Sequence, residues 1–141
     1  MIGSILGDIA GSVYEFRNIK TKEFPFLTPQ KGYTDDSILT LATADWLLHG
    51  GDCATYYFRY ATRYPCPLGG FGGRFREWLH QGQQTGQLRP YGSCGNGSAM
   101  RVGPVGWAFP LPLRMQTMLY LPTHFQQIVT EFEGKFGPEI R

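Results

Sequence analysis

Three adjacent side chains that carry oxygen ligands, Thr34, Asp35 and Asp36, stand directly before the apolar run from Ile38 to Leu48. Hydroxyl and carboxylate oxygens suit magnesium or manganese and do not suit zinc. A cation held there would act as a Lewis acid, orient a substrate diol or activate water. The alternative is that the segment only caps a helix, since Thr and Asp are favoured N-cap residues and an acid in the first turn suits the helix dipole.

Two further polar clusters fit around such a cation. Glu15 follows the first predicted helix, where a carboxylate can serve as a general base or a gate; the alternative is a solvated or arginine-paired surface residue. The glycine-rich segment before Ala99 offers backbone N–H groups to a phosphate and room for a ribose, unless it is only a turn built on Asn-Gly. Its candidate binding residues are Gly92, Ser93, Cys94, Gly95, Asn96, Gly97 and Ser98.

Hydrophobic spacing predicts that helices position these groups. The first helix runs from Met1 to about Val13, and glycines at every fourth position, Gly3, Gly7 and Gly11, suggest a second helix packed closely on it. Another helix begins at Thr34 to Asp36, is buried on more than one side, and ends at Gly50-Gly51. In this second helix the apolar face is expected at Ile38, Leu41, Ala42 and Leu48, with Asp45 as the exception.

The rest of the chain predicts shorter helices. Asp52 caps a third helix with a tyrosine stripe, whose expected place is the core, and Trp78 marks a short fourth helix. Beyond Pro110, residues 113–121 and 123–132 are helix candidates. Since no segment shows strict strand alternation, the predicted fold class is all-α.

Composition limits the function classes. One domain is expected from 141 residues, and a net charge of +2 with scattered cations argues against nucleic acid as a partner. Three cysteines without Cys-x-x-Cys spacing favour a reducing compartment. No apolar run approaches the ~20 residues that a membrane span needs, and the N-terminus does not resemble a signal peptide, so a cytoplasmic protein is expected.

Four motifs, in order, resemble the ADP-ribosylglycohydrolase family, which includes the dinitrogenase reductase-activating glycohydrolases. The matching segments are Gly7 to Phe16, Tyr33 to Ser37, Tyr64-Pro65, and Gly95 to Gly106. The resemblance covers roughly residues 2–109, here taken as the N-terminal part of such a domain, while residues 110–141 form an atypical tail. A truncation or frameshift near Phe109 would produce that tail.

The resemblance implies a compact orthogonal helix bundle around a binuclear magnesium or manganese centre that hydrolyses the glycosidic bond of ADP-ribose to a protein side chain or related acceptor. It implies that Thr34, Asp35 and Asp36 are metal ligands and that Glu15 is a general acid or base or a substrate-gated ligand. The loop of residues 92–97 would receive the diphosphate and ribose. Asp8 would be structural.

The sequence also departs from the family pattern. The resemblance implies a second acidic cluster in the C-terminal half, yet no Asp follows Asp52, and His124 stands in surroundings that do not match the family's substrate-contacting histidine. Three alternatives therefore remain: a hydrolase acting on ADP-ribosylated protein, a non-catalytic module that binds ADP-ribose or a metal, and a fragment with no activity or a crystallin-like structural protein. Self-association through exposed apolar surface is expected if helices lack their usual cover.

Overall fold

The structure, a computed structural model, describes residues 2–108. Within these residues the chain forms six α-helices and one 3-10 turn, without a strand, which confirms the all-α prediction. The helices are α1 (Ile2–Gly11), α2 (Asp35–His49), α3 (Cys53–Arg63), α4 (Gly73–Thr85), α5 (Gly97–Met100) and α6 (Gly103–Ala108); the 3-10 turn, Ser12–Tyr14, follows α1 directly. The helix candidates at 113–121 and 123–132, and His124, lie outside the described residues.

Helix α1 leaves much of its surface uncovered in the described part of the chain. Ile2 is 72% exposed, and only Ala10 is fully buried. A Cβ atom added at Gly3, Gly7 or Gly11 would meet no atom of residues 2–108 within 4 Å. The helix predicted to pack on this glycine stripe is therefore not found among these residues.

Helix α2 is the centre of the arrangement, because α1, α3, α5 and α6 all pack against it. Four consecutive residues, Ser37 to Thr40, are buried, which confirms that this helix is covered on more than one side. The predicted apolar face is wrong at two positions, since Leu41 is 40% and Leu48 is 79% exposed. These leucines turn away from α3, whose aromatic side chains cover the opposite side of the helix. Gly50, at φ +72°, ends α2 in a backbone conformation that favours glycine.

The core lies between α2, α3 and α4. Ile38, Leu39, Ala61 and Phe71 form its buried centre, with Tyr57, Tyr60, Phe75 and Leu79 packed around them. The tyrosine stripe of α3 thus lies partly in the core, as predicted. At the outer end of α2, the Asp45 carboxylate binds the guanidinium of Arg59 at 2.5 Å and accepts a hydrogen bond from the Tyr60 hydroxyl at 3.1 Å. These contacts explain the one charged residue on the predicted apolar face.

A close approach of α4 to α3 occurs at Gly82. A Cβ added there would lie 2.6 Å from Leu88 Cδ2 and 2.9 Å from Phe58 Cε2, so a larger residue does not fit without movement. Helix α4 then ends at Gly86, whose φ of +67° closes the helix in the left-handed region. Among residues 2–108, the longest and most apolar helices still fall short of what a bilayer crossing requires.

Candidate metal centre

Thr34 joins the loop after α1 to the start of α2. Its backbone is extended, at φ −103° and ψ −173°, and its Oγ1 accepts a hydrogen bond from the Asp36 N–H at 3.2 Å. Because Thr34 stands outside helical geometry, its side chain need not follow the helical spacing that separates Asp35 from Asp36 in the first turn. The capping interpretation is thus confirmed for Thr34, and it leaves both carboxylates unused by the cap.

Asp8, from the middle of α1, binds the start of α2 through both carboxylate oxygens. Its Oδ1 accepts from Thr34 Oγ1 at 2.6 Å, and its Oδ2 accepts from the Thr34 N–H at 2.9 Å and from Ser37 Oγ at 2.5 Å. Asp8 therefore has the structural role expected of it.

The carboxylates of Asp35 and Asp36 are half-buried and form no ion pair within residues 2–108. The pKa of Asp36 rises from an ordinary 3.8 to about 6, first because burial disfavours the charged form and second because Asp35 is negative. Burial also raises the pKa of Asp35, and the Arg101 guanidinium opposes this rise. Two acids thus stand at the same helix start, and the more distant charge of Arg101 only partly compensates their burial.

Glu15 is exposed and follows the 3-10 turn, at the beginning of the long connection to α2. A Cβ added at Gly69, where φ is +79°, would lie 3.4 Å from Glu15 Oε2, so the Glu15 carboxylate lies beside this turn. The turn is held by the Leu68 N–H, which donates to the Tyr33 carbonyl at 3.1 Å. Although Glu15 is exposed, partial desolvation of its carboxylate raises its pKa, with the charges of Asp35 and Asp8 as further causes, so Glu15 shares the electrostatic environment of the α2 start.

The donor types at this site fit a hard divalent cation. The Thr34 hydroxyl donates to Asp8 and accepts from Asp36 N–H, which leaves one lone pair free, and both neighbouring carboxylates offer oxygens. The donor number is smaller than a full shell requires. In the part of the chain that the structure describes, no three His, Cys, Asp or Glu side chains are grouped closely enough to hold an ion.

The glycine-rich loop leads into α5, which is only four residues long. Gly92, Cys94, Gly95 and Asn96 are exposed, and the Asn96 side chain does not cap the helix. The Gly95 N–H is already bound to Ser93 Oγ at 3.2 Å. A helix this short adds little dipole to an anion site, so the binding role predicted for the loop depends on its remaining N–H groups.

Arg101 connects this loop to the acidic residues. Its Nε donates to the Gly97 carbonyl at 2.6 Å, its guanidinium lies 5.5 Å from the centre of the Tyr57 ring, and its charge acts on both Asp35 and Asp36. A Cβ at Gly97 would collide with the Arg101 guanidinium. Gly97 is thus explained by Arg101 packing, and no phosphate contact is needed to account for it.

Two cavities flank the region. One, of about 540 Å³, is bounded by the 3-10 turn, the connection to α2 and the turn at Gly69 beside Glu15. The other, of about 210 Å³, lies on α4 between Arg74 and Tyr91, next to the glycine-rich loop. Arg74 Nη1 donates to the Gly92 carbonyl at 3.0 Å and so holds the start of that loop against α4.

The family model described as ADP-ribosylglycohydrolase matches residues 1–128 of the chain. The chain belongs to the ADP-ribosylglycohydrolase family. Neither a curated protein nor a solved structure matched it. The family match continues past residue 109, and the division of the chain at residues 109 and 110 stays a prediction.

ADP-ribosylglycohydrolases are hydrolases, and the family binds divalent metals. In this family member Thr34, Asp35 and Asp36 stand at one helix start, and the charges of Asp35 and Glu15 influence one another there; their roles as metal ligands and catalytic residue stay predictions. Sequence reasoning assigned no role to Arg101 or Lys31. The spacing of one helical turn between Gly97 and Arg101 could have indicated that the Arg101 side chain folds back on Gly97. No local pattern indicated the role of Lys31.

Proposed function

We propose that this chain acts on the glycosidic bond that joins ADP-ribose to a protein side chain or a related acceptor. The observation that carries the proposal is the pair Asp35 and Asp36, half-buried at one helix start without an ion pair in residues 2–108 and adjoining Thr34. Two neighbouring negative side chains without an ion pair lower the stability of the folded protein. A bound cation would remove this cost, because it would neutralise their charge.

In this proposal Thr34, Asp35 and Asp36 hold magnesium or manganese, as part of a site with more ligands than residues 2–108 provide. The bound metal would supply Lewis acidity toward ribose hydroxyls and water. Asp8 fixes the Thr34 hydroxyl by accepting its hydrogen bond, which aims the free lone pair of Thr34 Oγ1 away from Asp8. Glu15 acts in this proposal as the general acid or base, which gives a proton to the leaving group or takes one from the attacking water; its raised pKa brings the carboxyl closer to the range in which such a group is effective.

The same proposal gives the loop of residues 92–98 the diphosphate and adjoining ribose of the substrate. Its support is the set of exposed backbone positions between Gly92 and Asn96, together with the cationic Arg74 and Arg101 on either side. The partner is ADP-ribose or an ADP-ribosylated protein. We place the protein in the cytoplasm, which the free state of Cys53, Cys66 and Cys94 supports.

A second candidate function is a non-catalytic module that binds ADP-ribose or a single metal. It is favoured by the small number of metal-ligating side chains at this site, since residues 2–108 hold no group of three of them. A module of this kind would keep the loop and the Thr34 to Asp36 segment and lack turnover.

Titration calorimetry with magnesium chloride and with ADP-ribose, beside release of ADP-ribose from a modified protein, separates the candidates. Hydrolysis that Asp35→Asn abolishes supports the first, and binding without turnover supports the second. Absence of both contradicts the proposal and favours the crystallin-like structural alternative. Asp52→Asn is the matched control, because Asp52 also stands at a helix start but binds only Thr55, so metal binding and turnover should stay unchanged.

A further inference from the structure

Lys31 stands near the end of the connection between α1 and α2, and its ammonium group is held by three backbone carbonyls. Its Nζ donates to Ala10 at 2.6 Å, to Pro25 at 2.6 Å and to Phe26 at 3.3 Å. An ammonium group has three protons, so all of its donors are used. The carbonyl of Ala10 belongs to the last turn of α1, where carbonyls lack helical partners and a cation is favoured.

Two aromatic rings complete the surroundings of Lys31. The ammonium lies 4.6 Å from the centre of the Tyr14 ring and 5.1 Å from that of Phe24. The two rings contact each other edge to face at 5.5 Å. The cation thus joins the end of α1, the residue directly before Glu15, and the middle of the connecting loop.

No other lysine or arginine in residues 2–108 binds more than two protein carbonyls or carboxylates, so this arrangement is unusual within the described fold. The site also forms one wall of the 540 Å³ cavity beside Glu15. Ser12 adds a second tie from the 3-10 turn, because its Oγ accepts from the Gly32 N–H at 3.3 Å.

We propose that Lys31 is a positioning residue for Glu15: its ammonium, bound to three carbonyls and two rings, fixes the loop that carries the Glu15 carboxylate beside the start of α2. The inference rests on the proposed function for the part that concerns the reaction. Because carbonyls use all three donors of its ammonium group, Lys31 acts through Tyr14 and the loop backbone. Without its cation, three carbonyls lose their donor, and the middle of the loop loses its hydrogen-bonded link to the end of α1.

Limited trypsin digestion of the full chain tests whether Lys31 fixes the loop between α1 and α2. Cleavage after the exposed Arg17 and Lys20, both in the loop, should become faster by about tenfold or more in Lys31→Met, because loss of charged hydrogen bonds favours local opening. Cleavage after Arg59 in α3 should not change. Lys22→Met is the matched control, an exposed lysine of the same loop that forms no side-chain hydrogen bond within residues 2–108. Equal rates after Arg17 in wild type and a folded Lys31→Met would overturn the inference.

A measurement on the wild type covers the case in which Lys31→Met does not fold. With ¹⁵N-labelled lysine side chains, one of the four lysines should show an Nζ signal that persists at neutral pH, since its protons are hydrogen-bonded. A Lys31→Arg variant should lack that signal. If no persistent signal is lost in Lys31→Arg, the inference is wrong.

Kinetics of ADP-ribose release test whether Lys31 positions Glu15 for the reaction. Lys31→Met should lower kcat by about ten- to a hundredfold and leave KM nearly unchanged, because misplacing a catalytic group acts on the chemical step. In a Glu15→Gln background Lys31→Met should cause no further loss. An equal loss in both backgrounds would show a merely structural role. If the wild type releases no ADP-ribose, the proposed function fails, and the cleavage rate after Arg17, two residues from Glu15, decides the inference alone.

Discussion

Replacing Asp36 by asparagine should make the metal-free protein more stable at neutral pH. The substitution keeps the size and shape of the side chain and removes one of the two negative charges at the start of α2. The pKa of Asp36 is raised to about 6 from an ordinary 3.8, so its charged form is disfavoured in the folded state. The gain should appear only where the wild-type carboxyl is ionised.

The magnitude follows from the pKa difference. About two pKa units correspond to about 3 kcal/mol of unfolding free energy at about 1.4 kcal/mol per unit. Part of this is offset, because a negative charge in the first turn gains about 0.5 kcal/mol from the helix dipole and the site keeps some contact with water. A net stabilisation of about 1–2 kcal/mol is expected for Asp36→Asn at pH well above 6.

The pH dependence has a definite sign. Since the folded pKa lies above the unfolded value, the folded state binds more protons between about pH 4 and pH 6, and the unfolding free energy of the wild type falls as pH rises through this window. In Asp36→Asn, the decrease in unfolding free energy that comes from ionisation of Asp36 should be absent. The two proteins should therefore differ little near pH 4 and most above pH 6.

Urea unfolding with a chelator present, at several pH values, measures this difference. Asp52→Asn serves as control, because the pKa of Asp52 is lowered by its hydrogen bond from Thr55 and Asn is an equally good cap, so no stabilisation is expected. With magnesium, the wild type should gain stability by mass action and Asp36→Asn should not. A destabilised Asp36→Asn at neutral pH, or a difference independent of pH, would refute the electrostatic reasoning.

Two other predictions concern the loop and the glycines. ADP-ribose with magnesium should slow alkylation of Cys94 by about tenfold at about 90% occupancy of the loop. Alkylation of the exposed Cys66 should not change, and Cys53 should react slowly throughout because burial raises its pKa to about 11. Equal labelling of Cys94 with and without ligand would contradict loop binding. In denaturant unfolding, Gly82→Ala should lower the free energy of unfolding by about 1–3 kcal/mol, because the added methyl group overpacks against α3 and Leu88. Gly7→Ala should raise the free energy of unfolding by about 0.5–1 kcal/mol. A destabilised Gly7→Ala would instead support the helix predicted to pack on the glycine stripe of α1.

Much of the start of α2 could be predicted from sequence because its chemistry is local. Thr34, Asp35 and Asp36 are neighbours, and the preferences for an N-cap hydroxyl and first-turn acids act within one turn. The exposed sides of α2 could not be predicted in the same way. Leu41 and Leu48 satisfy the helical period, but which side of a helix is covered depends on where other elements lie.

The contacts that hold the candidate site together were beyond local reasoning for a similar cause. Asp8 and Thr34 are 26 residues apart, and Lys31 and Ala10 are 21 apart. Local propensity contains no information on such pairs. Gly97 shows a second effect of distance from local pattern: its place in a glycine-rich loop suggested a ligand contact, which stays a prediction, and the structure adds the Arg101 side chain as a packing reason for a glycine there.

Side chains from two other helices bind α2 at two separate points. Asp8 of α1 accepts a hydrogen bond from Thr34 at the N-terminus of α2, and Arg59 of α3 binds Asp45 in the C-terminal half. A residue inserted or deleted between these points would turn one end by about 100° and shift it by about 1.5 Å relative to the other. Either the Asp8 contacts or the Arg59 contact would then be lost. Substitutions inside α2 can be absorbed by repacking, but the number of residues from Thr34 to Asp45 is fixed by geometry, and related chains should vary in sequence there without varying in length.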